Sequence, residues 1–380
     1  MSFSFDAIRD TGVLKCLECG KCTAVCPISR YNKSYSPRRM IGQTLIGGAD
    51  ALLNDSLLWA CLTCQLCNER CPQDVDFSLL MRSIRIEAFR NGKRPVCSHG
   101  GALQSVMRIM TTPDLKQDRL SWVPKDMKIK QSGEDVFFVG CLPYFDAFFT
   151  DIEVNTLSSA TSAIKLMNLL GIEPVLMPDE RCCGHDLLWM GDEENFKRLA
   201  EHNLNLIKAT GAKRLFLTCP EGYRTFSKDI PEYFGKLDFQ VVYFPDYLLE
   251  NIKKIPWKTN GKHQVVTYHD ACRLGRHMGN YDTPRSLLTS ISGVELKEMA
   301  RHRAGATCCG TSAWANCDSY SKQIQSERLR DAKSTGADVL VTTCTKCAIH
   351  FNCTLKGPEE TKDIRIPIKD LLTVIADEMK

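Results

Sequence analysis

CLECGKCTAVCP at residues 16–27 and CLTCQLCNERCP at 61–72 repeat one spacing, C-x-x-C-x-x-C-x-x-x-C-P, which no ordinary hydrophobic core demands. The first run holds Cys16, Cys19, Cys22 and Cys26, the second Cys61, Cys64, Cys67 and Cys71. Three thiolates two residues apart wrap one face of a compact object, and the fourth, set apart and followed by proline, turns away from its own run. The chain here must fold around what it holds. Twenty cysteines in 380 residues do not make a disulfide scaffold. Such scaffolds are usually short and secreted, whereas this chain is long and opens MSFSFDAIRD, without a basic stretch leading into an apolar secretory segment. A reducing cytoplasm is the expected compartment.

The doubled run is the signature of a two-cluster ferredoxin, in which the remote cysteine of each run completes the other cluster. One 4Fe-4S cubane then takes Cys16, Cys19, Cys22 and Cys71, and the other Cys61, Cys64, Cys67 and Cys26. Zinc needs only four ligands in a tetrahedron and does not call for eight in this pattern. Between the runs, residues 31–60 exceed a minimal ferredoxin hairpin, and their apolar positions recur at helical spacing. FSLLMRSIRIEAFRNG is a further amphipathic helix, closed by Asn91 and Gly92. A helical ferredoxin-like domain over 1–92 follows, then a linker over 93–132, rich in polar residues and broken by Pro95, Pro113 and Pro124.

From residue 133 the chain repeats itself. ATGAKRLFLTC at 209–219 stands beside STGADVLVTTC at 334–344, an offset of 125. CCGHDLLWMGDEE at 182 matches CCGTSAWANCDSY at 308, and DVFFVGC ending at Cys141 matches QVVTYHDAC ending at Cys272. Each copy reads strand, cysteine, helix, strand, Cys-Cys-Gly, helix, strand, cysteine, so the expected class is multi-domain α+β, with the helical domain followed by a duplicated α/β module over 133–258 and 259–380. Sites in parallel α/β modules lie at the carboxyl ends of strands, where all these cysteines fall. Adjacent cysteines reach one metal assembly only through an unusual turn, which Gly184 and Gly310 permit.

FFVGCLPYFD, YHDACRLGRHMG and CCGTSAWANC carry a resemblance to the cysteine-rich CCG domain of heterodisulfide reductases, and the whole chain is similar to their D subunit or to fused B and C subunits. The resemblance implies a noncubane 4Fe-4S cluster on Cys272, Cys308, Cys309, Cys344 and Cys347, the five that would carry catalysis by opening a substrate disulfide in one-electron steps. In the first repeat the matching residues are Cys141, Cys182, Cys183 and Cys219, and the fifth place is Gly222. Four thiolates there point to an altered iron–sulphur cluster or a zinc, with any open iron marking the substrate side. Cys97, Cys317 and Cys353 remain as small buried hydrophobes.

His185, Trp189, His269, Asp270 and Trp314 flank these motifs, either donating hydrogen bonds to cluster sulphurs or lining a substrate cleft, or else as packing and capping residues, and Arg273, Arg276 and His277 form either a substrate-anion site or a solvated basic turn. A formal charge of +4 from 49 basic and 45 acidic residues gives no case for nucleic acid or an anionic membrane surface. The most apolar stretch, 163–177, is interrupted by Lys165, Asn168, Glu173 and Pro174, so any membrane contact is expected through a partner. No dinucleotide-binding glycine fingerprint occurs, so no flavin is expected in this chain. Two functions stay open: a subunit taking electrons from a flavoprotein or hydrogenase for thiol/disulfide chemistry, active only in a complex, or a pure relay between a flavoprotein dehydrogenase and a quinone-linked or acyl-CoA-reducing partner.

Overall fold

The computed structural model describes residues 8–47, 52–257, 263–315, 317–357 and 363–379. The opening MSFSFDA and the expected boundary at 258/259 lie outside the described residues.

The segment around the cysteine runs is helical, with Pro37–Gly47 and Phe77–Arg90 as its longest helices. Asp76 caps the second by accepting from the Leu79 N–H at 2.9 Å, and Gly92 follows its end at φ 76°.

Seven strands form two parallel sheets among the described residues. β1 (Asp135–Phe138), β2 (Arg214–Leu217) and β3 (Gln240–Tyr243) lie in the order β1-β2-β3. β4 (Gln264–His269), β5 (Val294–Leu296), β6 (Val339–Thr342) and β7 (Ile368–Asp370) lie in the order β5-β4-β6-β7. The apolar runs VFF, LFL and VLV are buried on both faces, as strands flanked by helices require. Val175 makes one parallel bridge to Val136 where the second repeat places β5 beside β4, so the first repeat has the same topology with its edge strand reduced to a bridge. β3 and β7, which follow the last cysteine of each repeat, are absent from the alternation read in the sequence. Their shortness and partial burial leave little periodicity to detect.

Three hydrophobic clusters hold the molecule together, and none is confined to one of the sequence segments. One joins the cysteine-run helices to the second repeat through Leu58, Leu80 and Ile324. A second joins the first repeat to the 93–132 segment through Leu103, Met107 and Trp189, and reaches Trp314 and Ile349. The third takes in residues of both sheets, Phe137 and Phe216 of the first with Val266 and Val341 of the second. Within 93–132, helix Ala102–Ile109 packs into the second cluster, and Gln104 donates to the carbonyls of Ala313 and Trp314, both at 3.1 Å. No described helix is long and apolar enough to cross a membrane.

Candidate functional site

The two cysteine runs fold alike in backbone detail. Glu18 and Thr63, each two residues after the first cysteine, take φ 50° and 46°, and Gly20 and Gln65, two further on, take 77° and 62°. These left-handed residues alternate with the thiols and curl each run. The same geometry aims the Glu18 N–H at Cys16 Sγ (3.4 Å) and the Thr63 N–H at Cys61 Sγ (3.3 Å), bonds of the kind that tune iron–sulphur potentials. Cys26, Cys61, Cys64 and Cys67 line one cavity, and Cys16, Cys19, Cys22 and Cys71 line the other, with Cys67 at its edge. The spatial grouping is therefore crossed between the runs. The second set is the outer one, with Cys19 exposed, and the first is the inner one, with Cys61 and Cys64 buried.

In the repeats, Gly184 and Gly310 sit at φ 80° and 86°, and a Cβ would stand 2.8 Å from Phe196 Cδ2 in one and 2.8 Å from the Ser321 carbonyl in the other. Only glycine suits both places. Cys141 Sγ lies 3.3 Å from Cys182 Sγ. In the second repeat Cys272, Cys309, Cys344 and Cys347 line one cavity, and Cys308 touches Cys272 and Cys309 beside it. Leu62 lines the same cavity and Thr63 Oγ1 lies 3.1 Å from Ser312 Oγ, so the inner set of the cysteine runs adjoins the five cysteines of the second repeat. Cys97 and Cys353 pack at the margin of a hydrophobic cluster, and Lys322 Nζ stands 3.0 Å from Cys353 Sγ. Cys317 is partly buried.

Arg273, Arg276 and His277 are neither an open anion site nor a solvated turn. All three are buried and turned onto the Cys61–Cys64 loop. Arg273 Nη1 donates to the Thr63 carbonyl (2.6 Å) and Nη2 to Thr63 Oγ1 (2.8 Å), Arg276 Nε donates to the Cys64 carbonyl, and His277 Nε2 donates to the Thr63 carbonyl (2.8 Å). The left-handed turn at Thr63 leaves those carbonyls without intraloop partners, and the second repeat supplies the donors. Arg224 Nε donates to His277 Nδ1 (2.7 Å) and Arg273 Nε to His185 Nε2 (3.0 Å), so burial beside these cations pushes both imidazoles well below their ordinary pKa. Trp189 lies under Arg273 and Arg224, 4.2 and 4.6 Å from ring centroid to guanidinium.

The other flanking residues divide. Asp270 is a structural anion, bound by Arg285 Nη1 and Nη2 at 2.8 and 3.0 Å and by the Arg303 N–H at 2.8 Å. His269 accepts from Arg328 Nε at 3.1 Å, and burial pushes it down to about 3. The His269 Nε2, His350 Nε2 and Trp314 Nε1 atoms are buried without a protein partner, and His350 Nδ1 lies 3.3 Å from Cys309 Sγ. Orphaned donors beside clustered thiols suit a group that brings its own acceptors, as inorganic sulphide does.

Sequence reasoning passed over Lys346 and Arg85. Lys346 is buried with Nζ against Asp186 and 2.9 Å from Glu221 Oε1, and together with Glu221 it lines the cavity of the second-repeat cysteines. Aligning the repeats at their last cysteines shows the signal, a glutamate over a lysine. Arg85 donates to the carbonyls of Leu58, Cys61 and Trp189, at 3.1, 2.7 and 2.9 Å, tying the inner loop to the first repeat. Its arginine type on a mostly apolar helix face was the one clue. Among the described residues, His185, Asp186 and Glu221 form the group of three ligand-type side chains whose atoms lie within 4.8 Å of one another, and Lys346 already supplies the cation there.

Comparison with known proteins agrees with this layout. Residues 136–226 and 266–352 each match the family described as Cysteine-rich domain (CCG), and residues 12–75 match the 4Fe-4S dicluster domain. The chain is 31% identical to the D subunit of the dihydromethanophenazine:CoB–CoM heterodisulfide reductase of Methanosarcina acetivorans, over 96% of this chain and 93% of that one. It is 25% identical to the probable iron-sulfur-binding oxidoreductase FadF of Bacillus subtilis, covering 92% of this chain and 58% of that one. With the EtfAB:quinone oxidoreductase of Syntrophomonas wolfei the identity is 21%, covering 96% and 59%. A hypothetical protein from Helicobacter pylori shares the fold, with a TM-score of 0.54 at 13% identity over 90% of this chain and 66% of that one.

Proposed function

Because this chain belongs to the family of heterodisulfide reductase D subunits, we propose that it conducts electrons inward through its cysteine runs for thiol/disulfide chemistry at the second repeat. It is an iron–sulphur oxidoreductase subunit of that type. Cys16, Cys19, Cys22 and Cys71 would hold one cubane 4Fe-4S cluster, Cys26, Cys61, Cys64 and Cys67 the other, and Cys272, Cys308, Cys309, Cys344 and Cys347 a noncubane one. Bound there, such groups supply single-electron transfer and, at the five-cysteine centre, the two electrons that with two protons turn a disulfide into two thiols.

The observation that carries the reading is the packing of the Cys61–Cys64 loop on the second repeat, where Leu62 lines the cavity of Cys272, Cys309, Cys344 and Cys347 and Arg276 donates to the Cys64 carbonyl. Together with Cys67, which lines both cysteine-run cavities, it supports a series of three cysteine sets from the exposed Cys19 to the buried Cys347. Arg273 and Arg276 keep that series in register by fixing the Cys61–Cys64 loop against the second repeat. Exposed Cys19 and Leu17, at 65% exposure, offer a docking face for an electron-donating flavoprotein or hydrogenase subunit.

Cys141, Cys182, Cys183 and Cys219, of which Cys141 Sγ and Cys182 Sγ lie 3.3 Å apart, would hold an altered iron–sulphur cluster or a zinc.

The test is a redox titration of the anaerobically prepared holoprotein, followed by electron paramagnetic resonance, with and without bis(2-hydroxyethyl) disulfide and 2-mercaptoethanol. A thiol-dependent signal that Cys347→Ala removes is expected. Its absence, with all clusters present, leaves the pure relay between a flavoprotein dehydrogenase and a quinone-linked or acyl-CoA-reducing partner.

A further inference from the structure

The two repeats share a register at their strand ends, so their surroundings can be compared residue by residue. β2 and β6 each end two residues before a cysteine, Cys219 and Cys344. Leu217 pairs with Tyr243 in one sheet and Thr342 with Asp370 in the other, which makes Tyr243 and Asp370 equivalents. Tyr223 and Ala348, each four residues after its cysteine, are equivalents too.

After Cys219 these equivalent positions carry two rings, and Tyr223 and Tyr243 stack with centroids 5.1 Å apart and planes 29° apart. Asp246, on the helix after β3, accepts from Asn280 Nδ2 (2.7 Å) and Thr283 Oγ1 (2.6 Å). Beside Cys344 the two ring positions are an alanine and an aspartate. What remains is a cavity of about 280 Å³, walled by Thr156 and Ser159 of the first repeat and Asn352 and Thr373 of the second. Cys344 lines this cavity and also the one shared with Cys272, Cys309 and Cys347, so it stands between the two.

We propose that this cavity binds a small, uncharged, hydrogen-bonding thiol or disulfide that reacts at the second-repeat centre, while the tyrosine pair closes the corresponding side of the first repeat. The proposal rests on the thiol/disulfide reading above and adds the place and class of the ligand. It reverses the expectation that the first repeat marks the substrate side. Size argues for a small ligand, since the volume falls just below the roughly 300–1,000 Å³ of ligand pockets. Charge argues for a neutral one. The wall lysine, Lys369, is paired with Asp377 at 2.8 Å and the wall glutamate, Glu153, with Lys356. Asp370 accepts from the Leu372 N–H at 2.9 Å. Hydroxyls and amides remain to recognise the ligand.

Ala348→Tyr installs in the second repeat the residue the first repeat carries, and Thr373→Phe fills the cavity from the opposite wall. Each holoprotein is compared with the parent for iron content, reduction midpoints and the response of the second-repeat paramagnetic signal to 2-mercaptoethanol and to methyl isocyanide, an iron ligand without thiol chemistry. The expected result is unchanged iron and midpoints, with the thiol concentration for half-maximal response raised about tenfold or more. If the parent answers to both probes and the variants answer equally well, the proposal falls and the thiol reading stands. A parent that answers to the isocyanide alone overturns the thiol reading, and the proposal with it.

Discussion

Glu221 and Lys346 occupy the same position in the two repeats, two residues after the last strand-end cysteine, and their side chains meet, Oε1 to Nζ, at 2.9 Å. The contact lies where the halves of the duplication face one another. One repeat supplies the anion and the other the cation, so the pairing joins the two different copies and not like with like. Burial alone would drive the Lys346 ammonium to lose its proton, and Asp186 and Glu221 together hold it charged, well above its ordinary pKa.

Lys346→Met therefore leaves two carboxylates facing each other in the interior. Breaking one side of a buried pair typically costs about 3–5 kcal/mol. A corresponding loss in anaerobic urea unfolding is expected, with part of it recovered in Lys346→Met/Glu221→Gln. Equal midpoints for parent and Lys346→Met would refute the role assigned to the pair.

Gly222 tests what the first repeat holds. A Cβ there would stand 3.1 Å from Leu217 Cδ2, the end of a flexible side chain, so Gly222→Cys should fold. If four thiolates hold an altered cluster, a fifth should change its electron paramagnetic resonance spectrum. A spectrum and iron content identical to the parent's would mean that Gly222 costs the site nothing.

Cys308 and Cys347 should differ as mutation sites. The Cys308 thiol interacts electrostatically with that of Cys64, whereas the Cys347 thiol interacts with those of Cys309 and Cys344. Cys308→Ala is expected to remove the second-repeat signal and also shift that of the inner cubane, and Cys347→Ala to remove the first and leave the second. Indistinguishable cubane spectra in the two variants would contradict the adjacency.

Gly191 stands at φ 111° where helix Phe77–Arg90 crosses helix His185–Met190, and a Cβ would overlap the Arg85 carbonyl. Gly191→Ala should destabilise by about 1–3 kcal/mol as an overpacked contact. Calorimetry that finds no change in unfolding temperature would show that this crossing yields easily.

What the sequence determined by itself is what short-range geometry demands. The spacing of each cysteine run, the prolines after Cys26 and Cys71 and the glycines after Cys183 and Cys309 all answer to a few bonds of backbone, so they can be read from neighbouring letters. The 125-residue offset likewise gave the duplication and its strands. Tertiary structure decided the rest, because contacts between distant segments depend on which apolar faces meet, and local periodicity carries no record of that. Arg273, Arg276 and His277 read in the sequence as an anion site or a basic turn, and packing against Thr63 and Cys64 makes them donors for stranded carbonyls. β3 and β7 were too short and too exposed to announce themselves, yet their register identifies Tyr243 with Asp370. Only with the chain folded does that exchange of a ring for a carboxylate become a stacked tyrosine pair in the first repeat and an open cavity at Cys344 in the second.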